Sequence, residues 1–85
     1  MKYQNLSIEQ LLALLPDCID TNRGTFRIAL ILTDIGWCAT FMRMNSNNNP
    51  SYYSSSHAQK PAEALARLAE WCEKNGIGLN QKIEA

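Results

Sequence analysis

The sequence predicts a small α+β domain in which a helix near each end covers one face of an antiparallel, hairpin-based sheet. Three observations carry this. L6-S-I-E-Q-L11 has the form of a helix start, T25-F-R-I-A-L-I-L-T33 and W37-C-A-T-F-M-R-M44 alternate on either side of D34-I-G36, and P61-A-E-A-L-A-R-L-A-E-W-C72 carries an apolar stripe at helical spacing.

In the first helix Ser7 serves as the cap and Gln10 reaches back to it, while Leu6 and Leu11 take the two positions of a hydrophobic staple. Ile8, Leu11, Leu12, Leu14 and Leu15 supply its apolar face, and Pro16-Asp17 stops it after about two turns. D20-T-N-R-G24 reads as a turn. The strand that follows places Phe26, Ile28, Leu30 and Leu32 on one side and Thr25, Arg27, Ala29, Ile31 and Thr33 on the other. D34-I-G36 is a tight connection into a second, antiparallel strand.

N45-S-N-N-N-P50 is a turn, because Asn tolerates left-handed backbone and Pro is excluded from a central strand. S51-Y-Y-S-S-S56 fits either a third strand at a sheet edge or part of a long polar loop. Pro61 stands at a first helical position, and Ala62, Leu65, Ala66, Leu68, Ala69 and Cys72 form the stripe of the last helix. Glu63 to Arg67 and Glu70 to Lys74 pair at i,i+4 on its outer face, and Asn75-Gly76 closes it. The expected organisation is one domain over 1–85, with an ordered core at 6–76 and a tail at 77–85.

Composition bounds the function. Hydrophobic residues make up 46% and charged residues 19%, the profile of a folded chain. Eight Lys and Arg balance eight Asp and Glu, which disfavours a phosphate-gripping nucleic-acid protein. The aliphatic run Ile28 to Leu32 is too short to cross a bilayer, and Glu9 breaks any signal-peptide pattern at the start, so a cytosolic protein is expected. Cys18, Cys38 and Cys72 are odd in number and widely spaced, which points to reduced thiols and to neither a disulfide framework nor a metal site. A catalytic thiol needs His57 as its base, and nothing in the sequence joins them. With no catalytic, metal or phosphate motif, the expectation is a non-enzymatic chain without a cofactor.

The order of elements, the G36-W37 opening of the second strand and the Y52-Y53 stretch leading into K60-P-A-E-A-L-A-R-L68 together resemble the small phage ABA sandwich proteins, over residues 6–76. The polar 45–56 segment is longer than the family's pattern. The resemblance implies a phage or prophage protein with no catalytic residues. It also implies a role of the kind some compact phage α+β proteins have: stoichiometric binding that inhibits a host defence system, as anti-CRISPR proteins do. The order α-β-β-β-α also resembles double-stranded-RNA-binding domains. Their basic cluster falls here at A58-Q-K-P-A-E63, which holds a single lysine.

Candidate contact residues follow from side-chain type. Tyr with Ser and Asn is the palette of adaptable protein-binding surfaces, which singles out Tyr52, Tyr53, Asn47 and Asn48. His57, the single histidine, precedes the last helix. It is read as an exposed or capping residue that joins the contact set, since S54-S-S-H57 lacks an acid to orient the ring. Trp71, at the edge of the last helix's stripe, is either an interface anchor or a lid on the core rim. Trp37 is assigned to the sheet core. The second sheet face holds Arg27, Ala29 and Ile31 with one of two sets, Trp37, Ala39 and Phe41 or Cys38, Thr40 and Met42. It is too apolar for water. A host protein or complex is the expected partner, with self-association through that face or the edge strand as the other option.

Overall fold

The computed structural model describes residues 3–79. Helix α1 (Ile8–Leu14) is followed by four strands, β1 (Cys18–Thr21), β2 (Gly24–Thr33), β3 (Gly36–Met44) and β4 (Pro50–Ala58), and by helix α2 (Pro61–Lys74). The strands form one antiparallel sheet in the order β1-β2-β3-β4. The class is α+β, as the pattern predicts, with one strand more than expected. β1 is only four residues long, too short to show alternation, and its sequence was masked by the turn that ends it.

That turn has a twin. In T21-N-R-G24 the Thr21 hydroxyl donates to the Gly24 carbonyl (2.9 Å) and accepts from the Arg23 amide (3.0 Å). In T33-D-I-G36 Thr33 does the same with Gly36 (2.7 Å) and Ile35 (3.3 Å). Both glycines have positive φ, 113° and 128°. At Gly36 a Cβ would lie 2.7 Å from the Ala58 carbonyl oxygen, so backbone angle and space both require glycine.

The polar segment is a third hairpin and not a long loop. Residues 45–49 turn, with Asn48 at φ 66° donating its amide to the Asn45 carbonyl (2.9 Å), and the chain is back in the sheet at Pro50. The edge-strand alternative for residues 51–56 is therefore the one the structure adopts. The loop reading falls because paired Asn45 and Ser51 side chains (3.0 Å) draw the strands together at once.

Helix α1 carries its full capping box, Ser7 and Gln10 each bonding the other's amide. It packs against α2, which lies on β3 and β4. The core between helices and sheet holds Leu11, Leu14 and Leu15 from α1, Phe26 and Phe41 from the sheet, and Leu65, Leu68, Ala69 and Cys72 from α2. Each buried phenylalanine or leucine contributes about 1.5–3 kcal/mol. Burial pushes the Cys72 thiol up from the usual 9.0 to about 11, because the thiolate loses its water. At the end of α2, Ile77 and Gly76 donate to the Cys72 and Glu73 carbonyls (2.9 and 3.4 Å) with Gly76 at φ 72°, so the last turn closes as a Schellman motif. Ile77 and Leu79 then pack on the core, so the chain expected to trail from residue 77 is still part of the domain there. The expected tail beyond residue 79 lies outside the described residues. Among the described residues no helix is long and apolar enough to cross a membrane.

Candidate binding face

Strand alternation divides the sheet into two faces. Ile19, Phe26, Ile28, Leu30, Ala39, Phe41 and Tyr53 point to the helices. Register fixes what lies opposite: Arg27 pairs with Met42, Ala29 with Thr40 and Ile31 with Cys38, so the second face takes the Cys38, Thr40 and Met42 set. Both helices belong to the other side. Thr40 is fully buried even on this face, its hydroxyl bonded to the Ser54 carbonyl (2.8 Å) and shared with the Ser55 hydroxyl (3.1 Å). Around it the face is mixed and half-open: Met44 is 52% and Tyr52 48% exposed, and Arg27, Ser55 and His57 are exposed beside them.

A bulge in β4 decides which of its residues join this face. Tyr52 pairs with Met42 and Tyr53 with Phe41, but Thr40 pairs with Ser55, leaving Ser54 as an extra residue at φ 59°. Strict alternation would put Tyr53, Ser55 and His57 on one side. The bulge shifts the phase, so Tyr53 points to the helices while Tyr52, Ser55 and His57 share the open face.

The six expected contact residues are thus not brought together. Tyr52 and His57 are exposed on the open face. Asn47 and Asn48 are exposed at the β3–β4 turn. Tyr53 and Trp71 are half-buried on the helix side, where their rings meet edge to face at 5.9 Å. Tyr53 also packs on Phe26 at 5.6 Å, and the Arg23 guanidinium lies over both of those rings. Grouping Tyr53 with Tyr52 as surface contacts is therefore corrected: Tyr53 belongs to the packed side because its strand partner is the fully buried Phe41. Trp71 takes the role of lid on the core rim.

The sequence does not join a thiol to the imidazole, and the fold does. Cys38 and His57 stand directly opposite in the β3–β4 register, which places their Cβ atoms about 4.5–5.5 Å apart. They line one cavity of about 240 Å³ with Ile31, Thr33, Tyr52 and Ser55. Ile31, and Cys38 and Met42 as one of two alternative sets, were expected on this face, while Ser55 is the cavity residue that sequence reasoning did not place there. The one available signal was alternation on β3, which needed the hairpin register to be read. Among the described residues no group of three His, Cys, Asp or Glu side chains is placed to hold a metal ion.

Compared with known proteins, the chain matches no family model, and no curated protein or solved structure matches it.

Proposed function

We propose that the protein is a non-enzymatic binding module that occupies a surface of a larger protein through the open face of its sheet. The observation that carries this is the sheet face itself: on the side away from both helices Ile31, Met42, Met44 and Tyr52 leave apolar surface uncovered, among the polar Arg27, Ser55 and His57. A chain this small has little apolar surface to leave outside its core, and contiguous exposed apolar area marks association sites. The face is favoured over the β4 edge, because the Ser54 bulge and Pro50 both interrupt its hydrogen-bonding rim, and over the β1 edge, which is only four residues long. The most concrete form of the proposal is a phage-encoded inhibitor that binds a bacterial defence complex stoichiometrically in the host cytoplasm, supported by the resemblance of residues 6–76 to small phage proteins.

The test is capture from bacterial lysate on three immobilised baits: the native protein, a Tyr52→Ala/Met44→Ser variant, and Leu12→Ser on the exposed side of α1. A protein retained by the native and Leu12 baits, and lost by the open-face variant, is the expected result. Equal retention by all three would contradict it. Salt-sensitive recovery of RNA with no protein would favour the RNA-binding alternative.

A further inference from the structure

We propose that Cys38 and His57 form a thiol–imidazole site that undergoes thiol–disulfide exchange with small aliphatic disulfides, an activity that goes beyond the binding reading and does not depend on it. The sequence separates the two residues by a hairpin, and the fold sets them face to face in adjacent strands. Both line the same cavity of about 240 Å³, His57 exposed at its rim and Cys38 buried at its floor with 7% of its surface accessible. Among the described residues the Cys38 thiol and the His57 ring make no hydrogen bond, to each other or to any other group, so both are uncommitted and a rotation of the exposed His57 side chain is what brings the imidazole onto the thiol. The pairing is also the product of an unfavourable local conformation. It exists because Ser54 adopts a left-handed backbone that side-chain-bearing residues avoid, and without that bulge His57 would turn to the helix side.

The chemistry follows from what lines the cavity. The cavity itself holds no carboxylate, and Glu63, which shares a second pocket with His57, is paired with Arg67 and not with the imidazole, so the orienting acid of an acyl-transfer triad is not in place. Exchange with a disulfide asks for less: a thiol, a base for its proton and room for the leaving sulfur. The His57 imidazole accepts the Cys38 proton as the sulfur attacks one sulfur of the disulfide. The S–S bond breaks, a mixed disulfide forms on Cys38, and the departing thiolate takes the proton back from the imidazolium. One thiol and one disulfide are consumed, and one thiol and one disulfide are produced. Ile31 gives the cavity an apolar wall and Tyr52 an aromatic one, while the Thr33 and Ser55 hydroxyls are already bonded to Gly36 and Thr40, a lining suited to a short neutral chain. The other thiols are internal references. Cys72 is fully buried beneath α2, and Cys18 is exposed at the far edge of the sheet opposite Arg27, with no imidazole beside it.

The experiment exposes the folded protein to 2-hydroxyethyl disulfide and follows each cysteine by peptide mass mapping, in native protein and in His57→Gln. Cys38 is expected to be modified in the native state while Cys72 is not. The ratio of Cys38 to Cys18 rates is expected to fall by about tenfold or more in the variant, as loss of a general base implies. His57 is exposed, and a denaturant melt confirms that the variant is folded. A smaller change in the ratio, or labelling of Cys38 only after unfolding, overturns the proposal. Because no partner protein is involved, either result leaves the binding reading to its own test.

Discussion

Tyr52 and Tyr53 are neighbours in the chain and opposites in the fold. Tyr53 lies under the helices, its ring against Phe26 and Trp71, while Tyr52 stands half-exposed on the open side beside Cys38 and His57. The same division runs through the whole sheet: Phe41 is fully buried, and the next residue, Met42, faces outward. One side of the sheet is spent on stability. The other is left uncovered by the helices, and one extra residue at Ser54 assigns the end of β4 between them.

The division is broken most severely from the packed side. Phe41→Ala is expected to cost about 3–5 kcal/mol by opening a cavity under α2, whereas Met42→Ala should cost about 1 kcal/mol. Chemical denaturation of both variants checks this, and equal losses would erase the distinction between faces. Next comes the tyrosine pair. Tyr53→Ala should destabilise by about 2–3 kcal/mol and Tyr52→Ala by less than about 1 kcal/mol, read as melting shifts of roughly 4–8 °C per kcal/mol in a domain of this size.

A third test uses the buried thiol. The folded Cys72 value is raised, so its contribution is fully present below pH 9.0 and is lost as pH rises through about 11, where the unfolded chain ionises more readily. The native protein should therefore lose up to about 2–3 kcal/mol across that window. Cys72→Ala should start less stable and show a correspondingly shallower decline. Identical pH profiles for the two proteins would place the Cys72 thiol in water. The smallest effect is expected at the bulge: Ser54→Gly removes the cost of a left-handed serine and should stabilise by about 0.5–1 kcal/mol, visible as a raised denaturation midpoint. A lowered midpoint would mean that residue 54 does not hold that conformation.

How much of this was readable without coordinates depends on how local each cause is. The capping box of Ser7 and Gln10, the stripe of α2 and its glycine cap are short-range patterns, and all appear where expected. The two faces of β2 are likewise written in its alternation. β1 was hidden because four residues show no period, though the repeat of T21-N-R-G24 in T33-D-I-G36 was a usable signal for a second hairpin turn. The choice between the two β3 sets depended on register, which one strand cannot reveal by itself. The bulge was the least readable feature. Ser54 is neither Gly nor Asn, the residues that ordinarily announce left-handed backbone, and its phase shift moves His57 from Tyr53's side to Tyr52's. The meeting of Cys38 and His57 is a consequence of that shift and was invisible for the same reason.

The phase shift at Ser54 is the point on which the two-faced account rests, and proton–proton contacts in an NMR NOESY spectrum test it most directly. Cross-peaks are expected from the His57 ring to the Cys38 β-protons, and from the Tyr53 ring to Trp71. Cross-peaks from the His57 ring to Leu65 or Trp71, with none to Cys38, would contradict it.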